Sequence, residues 1–343
     1  MTTLVTGATG FVGSSVVKAL LARGEPVRVL IRAGSNCRNL RDLPVETAVG
    51  DLEQPSTLRR VVAGCRALYH VAADYRLWAP RPGTMYRVNV DGTRALLRAA
   101  ADAGVERIVY TSSVATLGLD PGGPADETTP VGIDDMIGHY KRSKYLAEQA
   151  VRELIEREGL AAVIVNPSAP IGPGDVRPTP TGRIVLDAAR GRIPACVDTG
   201  LNVVHVDDVA AGHLLAFERG AVGERYILGG QNLSLGEILT LIAVLAGRRP
   251  PRLCLPAGLI LPIAYLSEIA ARIGRTGEPL LTVDGLRMAR KRMHYSSAKA
   301  ECQLGYRSRP AAEAVRDALA WYRHNGYLAN IPEISVSPSA PAQ

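Results

Sequence analysis

Tyr140 and Lys144 stand four apart in the run His139-Tyr140-Lys141-Arg142-Ser143-Lys144, about 27 residues after the pair Ser112-Ser113. On a helix that spacing puts phenol and ammonium on one face. An ammonium beside a phenol stabilises the phenolate, so the Tyr140 pKa is expected to fall well below its free value of ~10, as a general acid or base near neutral pH requires. Ser113 closes an apolar strand, Arg107 to Tyr110, and can donate a hydrogen bond that holds a substrate oxygen against Tyr140. The three residues make a proton-transfer site. Tyr and Lys four apart also occur by chance on exposed helices, so the reading depends on the elements that position them.

The first of those elements begins near residue 3. Leu4-Val5-Thr6 reads as a buried strand that breaks into Gly7, Gly10 and Gly13, and Val16, Val17, Leu20 and Leu21, closed by Gly24, have the spacing of one helix face. A glycine turn between strand and helix suits a pyrophosphate. Gly7 permits the tight turn, Gly10 lets phosphate approach the backbone, Gly13 allows close helix packing, and the helix N-terminus offers unpaired N–H groups. The plainer alternative is an ordinary glycine-rich turn, but its place between strand and helix is the one a dinucleotide fingerprint requires.

The second strand, Val27 to Ile31, ends at Arg32, where a carboxylate would hold the ribose hydroxyls of NAD. Arg32, with Ser35, Arg38 and Arg41 behind it, suits a 2′-phosphate instead, so NADP is expected and NAD is the alternative. If these arginines are only a solvated loop face, that preference weakens. A third strand, Val45 to Val49, ends in Gly50-Asp51-Leu52, and a fourth, Ala67 to Val71, ends in Ala72-Ala73. Both ends should reach the ligand edge of a parallel sheet, Asp51 as an adenine acceptor or a plain helix cap. A helix from Tyr86 to Ala103 carries Asn89 and stops at Gly104.

With 343 residues the chain is long enough for one large α/β unit or two joined ones. Its net charge of +7 is spread through Arg-rich segments, which argues against a nucleic-acid partner and fits an anionic cofactor or lipid surface. Cys37, Cys65, Cys196, Cys254 and Cys302 are scattered, without a CxxC pair, and read as structural thiols of a reducing, cytoplasmic compartment. The six dispersed histidines give no metal site. A first strand starting so early leaves no room for a signal peptide.

Taken together, TGATGFVG at Thr6 to Gly13, Asp51-Leu52, Asn89 to Thr93, Ser112-Ser113, Tyr140 to Lys144, Asn166-Pro167 and His205 to Val209 resemble the extended short-chain dehydrogenase/reductase family over about residues 2 to 328. The segment His70 to Trp78 is similar to its hopanoid-associated sugar epimerase branch, near dihydroflavonol 4-reductase-like enzymes. The resemblance implies an α/β fold, a doubly wound parallel Rossmann sheet with a smaller, interleaved C-terminal α/β substrate domain. It implies Ser113, Tyr140 and Lys144 as catalytic residues. The cofactor would lie against Gly7, Thr9, Gly10, Phe11, Val12, Gly13, Arg32, Ser35, Asp51, Leu52, Ala72, Ala73, Asn89, Thr111, Tyr140, Lys144, Pro167 and Ser168. Asp74, Tyr75, Trp78 and Ser113 are the expected substrate contacts. Unlike the UDP-galactose epimerase pattern, the chain lacks an acidic residue after the second strand, which favours a reductase or dehydrogenase over a true epimerase.

Residues 1–167 are expected to form the NAD(P)-binding domain, to which the chain returns around 200–218, and residues 168–328 mainly the substrate domain. His205 reads as a packed anchor rather than a second acid/base. Leu253 to Ala271 is dense in Leu and Ile but interrupted by Pro256 and Pro262, so it is too short to span a membrane. It suits an apolar lid over a lipid-like substrate, a patch at the inner face of a membrane, or simple packing. Residues 329–343 read as a disordered tail. The expected enzyme moves a hydride at an alcohol or carbonyl carbon of a bulky lipid-like or glycosylated substrate, acting as a homodimer. A reductase of small ketones, aldehydes or dihydroflavonols, and a non-catalytic dinucleotide sensor, are its rivals.

Overall fold

The computed structural model describes residues 2–76, 82–251, 253–255 and 283–328. Seven strands form one sheet: β1 (Thr2–Thr6), β2 (Val27–Ile31), β3 (Glu46–Val49), β4 (Cys65–His70), β5 (Arg107–Thr111), β6 (Ala162–Pro167) and β10 (Arg225–Leu228). All are parallel, in the order β10-β6-β5-β4-β1-β2-β3. Runs such as Val163-Ile164-Val165 are buried because helices cover both faces of such a sheet. One face is covered by α1 (Phe11–Ala22) and α7 (Val206–Arg219), which pack on each other. The other carries α2 (Leu58–Val62), α4 (Thr93–Asp102) and α5 (Gly138–Glu158), whose Leu58, Leu96, Leu97, Val151 and Leu154 close a second core. This is the doubly wound Rossmann arrangement, with α5 stopped by Gly159 in the left-handed conformation.

The chain leaves the sheet after β6 and returns through α7 and β10. In between lie β7 (Ala169–Ile171), α6 (Pro180–Ala189), β8 (Ala195–Val197) and β9 (Gly200–His205). β9 pairs with β7, with β11 (Gln231–Ser234) and with β13 (Arg292–Met293), while β8 pairs with β12 (Leu253–Leu255). A third core joins α6, α8 (Leu235–Leu245) and the helix Ala311–His324.

The expected helix from Tyr86 to Ala103 has a different form. It runs as α3 (Gly83–Tyr86), a π-helical stretch Arg87–Gly92 and then α4. The wide turn faces Asn89 inward, where its amide donates to the Asp74 carbonyl (2.9 Å) and the Ser143 hydroxyl (2.9 Å) and its oxygen accepts the Asp74 N–H (2.7 Å). Such π turns gather at functional sites because they redirect one side chain. The cysteines also need correction. Cys37, Cys65 and Cys302 are free, but Cys196, which lies opposite Cys254 in the β8–β12 pairing, is disulfide-bonded. Scattered sequence positions conceal a pairing that only neighbouring strands create. Trp78, most of the Leu253 to Ala271 stretch and residues 329–343 lie outside the described residues. Among the described residues no helix is long and apolar enough to cross a membrane.

Candidate active site

Parallel strands deliver β1, β4, β5 and β6 to a common carboxyl edge, and the turn after β1 is the tightest feature there. Gly7 has φ +69° and lies so near the β4 end that a Cβ would stand 2.7 Å from the Ala72 nitrogen. At Gly13 a Cβ would meet the Gly7 carbonyl oxygen at 2.2 Å. The turn and the start of α1 are therefore pressed together, with Gly10 as N-cap, no acidic residue in the first turn, and N–H groups directed at the edge. Phe11 is buried, and Val12 packs on the core beneath the sheet. The Thr9 carbonyl accepts from Asn39, whose amide also reaches the Gly174 carbonyl (2.9 Å). That asparagine, not anticipated from sequence, ties the glycine turn to the segment after β7.

Past β2, Arg32 is exposed and its side chain makes no hydrogen bond or ion pair among the described residues, while its carbonyl accepts the Ser35 N–H (3.0 Å). Arg38 donates instead to Asn325 (2.7 Å). The Asp51 carboxylate accepts the Glu53 N–H (3.0 Å) and so closes its own turn, and Leu52 packs under Gly92. Thr6 donates or accepts at His70 Nδ1 (2.7 Å), and its oxygen accepts the Ala72 N–H (3.2 Å), fixing Ala72-Ala73 beside Gly7. His70 is fully buried between Thr6 and Thr93, and burial brings its pKa down to about 3. A pyrophosphate dinucleotide fits these residues. The glycine cradle would be filled by any Cβ, and beyond β6 the buried Ser168 hydroxyl has no partner among the described residues, as a donor awaiting a ligand would.

Ser113, the first residue past Ser112 at the end of β5, accepts the Ala115 N–H (3.1 Å), and its hydroxyl lies close enough to the Tyr140 phenol to act on that phenol's pKa. The sequence reading thus finds Ser113 and Tyr140 together, but Lys144 is placed differently. Its ammonium donates to the Thr111 carbonyl (2.8 Å) and the Tyr110 hydroxyl (3.2 Å), and it stands over the Tyr110 ring. The expected fall in the Tyr140 pKa is therefore corrected. Burial raises it, and the Ser113 hydroxyl offsets part of that rise. Burial also brings Lys144 down to about 8, against an upward pull from Glu148. The lysine is occupied by neighbouring oxygens rather than by the phenol.

Glu148, one turn beyond Lys144, escaped the sequence reading. Its Oε2 accepts from Ser112, Thr116 (2.8 Å) and Asn166 (3.1 Å), and its Oε1 from Arg225 (3.2 Å). Asn166 in turn donates to the Ser113 carbonyl (3.1 Å), and the single Thr116 hydroxyl proton lies within reach of both that carbonyl (2.8 Å) and Glu148. A single buried carboxylate therefore joins α5 to the ends of β5 and β6 and fixes the backbone that carries Ser113. The only available signal was an acidic residue at i+4 from Lys144 on the buried face. Thr111 hydrogen-bonds His213 (2.8 Å), and Pro167 is buried in the ladder with β10. Asp74 pairs with Arg76, and Tyr75 is 42% exposed at the mouth of the edge. His205 is fully buried, accepting the Asp207 N–H and contacting Asp317 (3.1 Å), so it packs as an anchor away from Tyr140.

The model of a family described as the NAD dependent epimerase/dehydratase family matches residues 3–229. A Synechocystis protein provisionally named dihydroflavonol 4-reductase is 45% identical over 330 residues, covering 94% of this chain and 95% of that protein. Sterol demethylase protein B of Methylococcus capsulatus is 38% identical over 330 residues, covering 96% of this chain and all of that one. Among solved structures, that of gox2253 superposes with a TM-score of 0.86 at 54% identity, covering 95% of this chain and 99% of its own.

Proposed function

The chain belongs to the NAD dependent epimerase/dehydratase family, within the extended short-chain oxidoreductases, and from that membership we propose an NADP-preferring reductase or dehydrogenase of a bulky, lipid-like substrate. The observation that carries the reading is the nearness of the Ser113 hydroxyl to the buried Tyr140 phenol, close enough to pull its pKa down, at the sheet edge that also bears the glycine cradle. When bound, the cofactor supplies the hydride at C4 of its nicotinamide. Ser113 holds the substrate oxygen, Tyr140 passes the proton to or from that oxygen, and Lys144 keeps a positive charge below them. Arg32, exposed and without a partner among the described residues, supports the 2′-phosphate preference. The likeness to a protein named for sterol demethylation supports a polycyclic isoprenoid class of substrate.

In this reading residues 1–167, with the return of the chain through α7 and β10, form the three-layered unit around the seven-stranded sheet and hold the dinucleotide, and the rest of residues 168–328 mainly holds the substrate. The enzyme acts as a homodimer in the cytoplasm, at the inner face of the membrane where such substrates reside. Light scattering and vesicle flotation test those two parts. The name of the Synechocystis relative favours a second reading, a reductase of dihydroflavonol-type or small carbonyl compounds with the same residues. Turnover of NADPH and NADH against sterol-like, sugar-nucleotide and small carbonyl substrates separates the two. A tenfold or greater advantage for the sterol-like set is expected. Turnover confined to small carbonyls overturns the lipid reading, and no turnover with any substrate favours the dinucleotide sensor.

A further inference from the structure

Between α6 and α8 lies a recess that the proposed chemistry does not use. Its volume is about 370 Å³, and the segments entering β8 and β12 form its other walls. None of its described lining residues belongs to the sheet edge that carries Ser113 and Tyr140. Small-molecule pockets of about 300–1,000 Å³ combine apolar walls with a few polar groups. The walls here follow from the sequence. From Ile238 to Leu245, α8 has Thr240 as its one polar residue, and its Leu239 and Ala243 are buried in the core shared with α6. Where Ala243 and the Ala188 of α6 line the recess, methyl groups stand in place of long side chains and leave space. Just past α6, Gly191 (φ +70°) turns the chain through Ile193 and Pro194 into β8, and Pro250 and Pro251 lead to β12. Proline has no N–H to offer, so this rim gives contact area but few donors. Such walls hold water poorly and favour an apolar guest.

One lining group differs from the rest. Arg249 alone is charged among the described lining residues, and its side chain makes no hydrogen bond or ion pair among the described residues. The carboxylates of the two flanking helices are engaged elsewhere. Asp187, late in α6, is shared by Arg190 and Arg192 at 3.9 Å each, and Glu237, at the start of α8, accepts from the Ser234 hydroxyl (2.7 Å). Asp198, past β8, pairs with Arg292 (3.0 Å). A guanidinium stays charged at any physiological pH and binds carboxylate or phosphate through two parallel hydrogen bonds. An apolar recess with one free cation in its wall is complementary to a molecule with an apolar body and a single anionic end.

We propose that this recess is a second ligand site, which takes an amphiphile with its chain against α6 and α8 and its carboxylate or phosphate on Arg249. The site is independent of the chemistry assigned to Tyr140. Calorimetric titration of the intact protein tests it, with decanoate, decyl phosphate and decan-1-ol kept below micelle-forming concentrations, and with acetate and inorganic phosphate as anions without a chain. The expected result is that at least one decyl anion binds about tenfold or more tighter than both decan-1-ol and its own chainless anion. Arg249→Gln, at an exposed position, should then weaken that anion about tenfold or more and decan-1-ol less than about twofold. Ala243→Leu, which narrows the recess, should weaken anion and alcohol alike while the dinucleotide Kd is unchanged. The anion that discriminates tells a carboxylate ligand from a phosphate one. A decanoate with a terminal diazirine should label residues 188–194 or 239–251 on irradiation. No binding of either decyl anion, equal losses of anion and alcohol in Arg249→Gln, or labelling confined to other segments overturns the proposal. So does a loss in Tyr140→Phe as large as that in Arg249→Gln, which would assign the amphiphile to the catalytic edge.

Discussion

The turn ahead of α1 and the first turns of α5 stand at the same edge of the sheet and are built in opposite ways. The α1 turn works by removing side chains: Gly7 and Gly13 bring the backbone so close that a methyl group has no room. The α5 region works by adding them. Tyr140, Lys144 and Glu148 occupy successive turns, and each is held by groups from other strands. The first kind of site depends on steric exclusion and backbone donors, so it fails abruptly when a side chain is inserted. The second depends on a polar network in a low-dielectric interior, so it fails by degrees, according to which group is removed.

The largest break is expected in the α5 region. Tyr140→Phe should lower kcat by about 10³-fold while the dinucleotide Kd changes little, read from steady-state rates and fluorescence titration. In the α1 turn the opposite split is expected: Gly13→Ala should raise the dinucleotide Kd about 100-fold and destabilise the fold by about 1–3 kcal/mol, because the new Cβ overlaps the Gly7 carbonyl. A denaturant melt checks the second part. Arg32→Ala should raise the Kd for NADPH about 30-fold and that for NADH less than about threefold, the loss of a charge-assisted phosphate contact. Equal effects on both cofactors would remove the case for NADP.

Glu148→Gln tests whether the network positions or merely fills. It should cost about tenfold in kcat, as expected for a disturbed buried charge network rather than a lost acid/base. It should also move the pH profile. Lys144 near 8 must stay protonated to keep its hydrogen bonds to Thr111 and Tyr110 and the positive charge below the site, so activity falls as pH rises through that value. Removing the Glu148 charge takes away its upward pull and shifts that limb to lower pH; an unmoved limb would reduce Glu148 to packing. The smallest effect concerns stability. Lys141 is brought from 10.5 to about 8 by burial and Lys291, so the folded chain binds fewer protons than the unfolded one between those values. The penalty is full below about pH 8 and fades toward 10.5. Lys141→Met should therefore raise stability near neutral pH by about 1–3 kcal/mol, with the gain shrinking in alkaline buffer.

Much of this molecule was readable from local spacing. Gly7, Gly10 and Gly13 between a strand and a helix, the Tyr140–Lys144 interval, and the alternation of apolar strands and helices depend on neighbours within a dozen residues, and backbone geometry turns them directly into a turn, a shared helix face and a parallel sheet. The missing acid at Arg32 is legible for the same reason. What tertiary structure decided are the partners chosen across the fold. Lys144 serves Thr111 and Tyr110 rather than the phenol, so Tyr140 is raised rather than lowered. Asn89 turns inward on a π-helical stretch, and Glu148 gathers Ser112, Thr116, Asn166 and Arg225 from three separate stretches of chain. Cys196 meets its disulfide partner, and Lys141 is buried without an acceptor among the described residues. Periodicity says which face a residue lies on. Which oxygen or charge waits on the other side is set by packing between distant segments, and no interval along the chain encodes it.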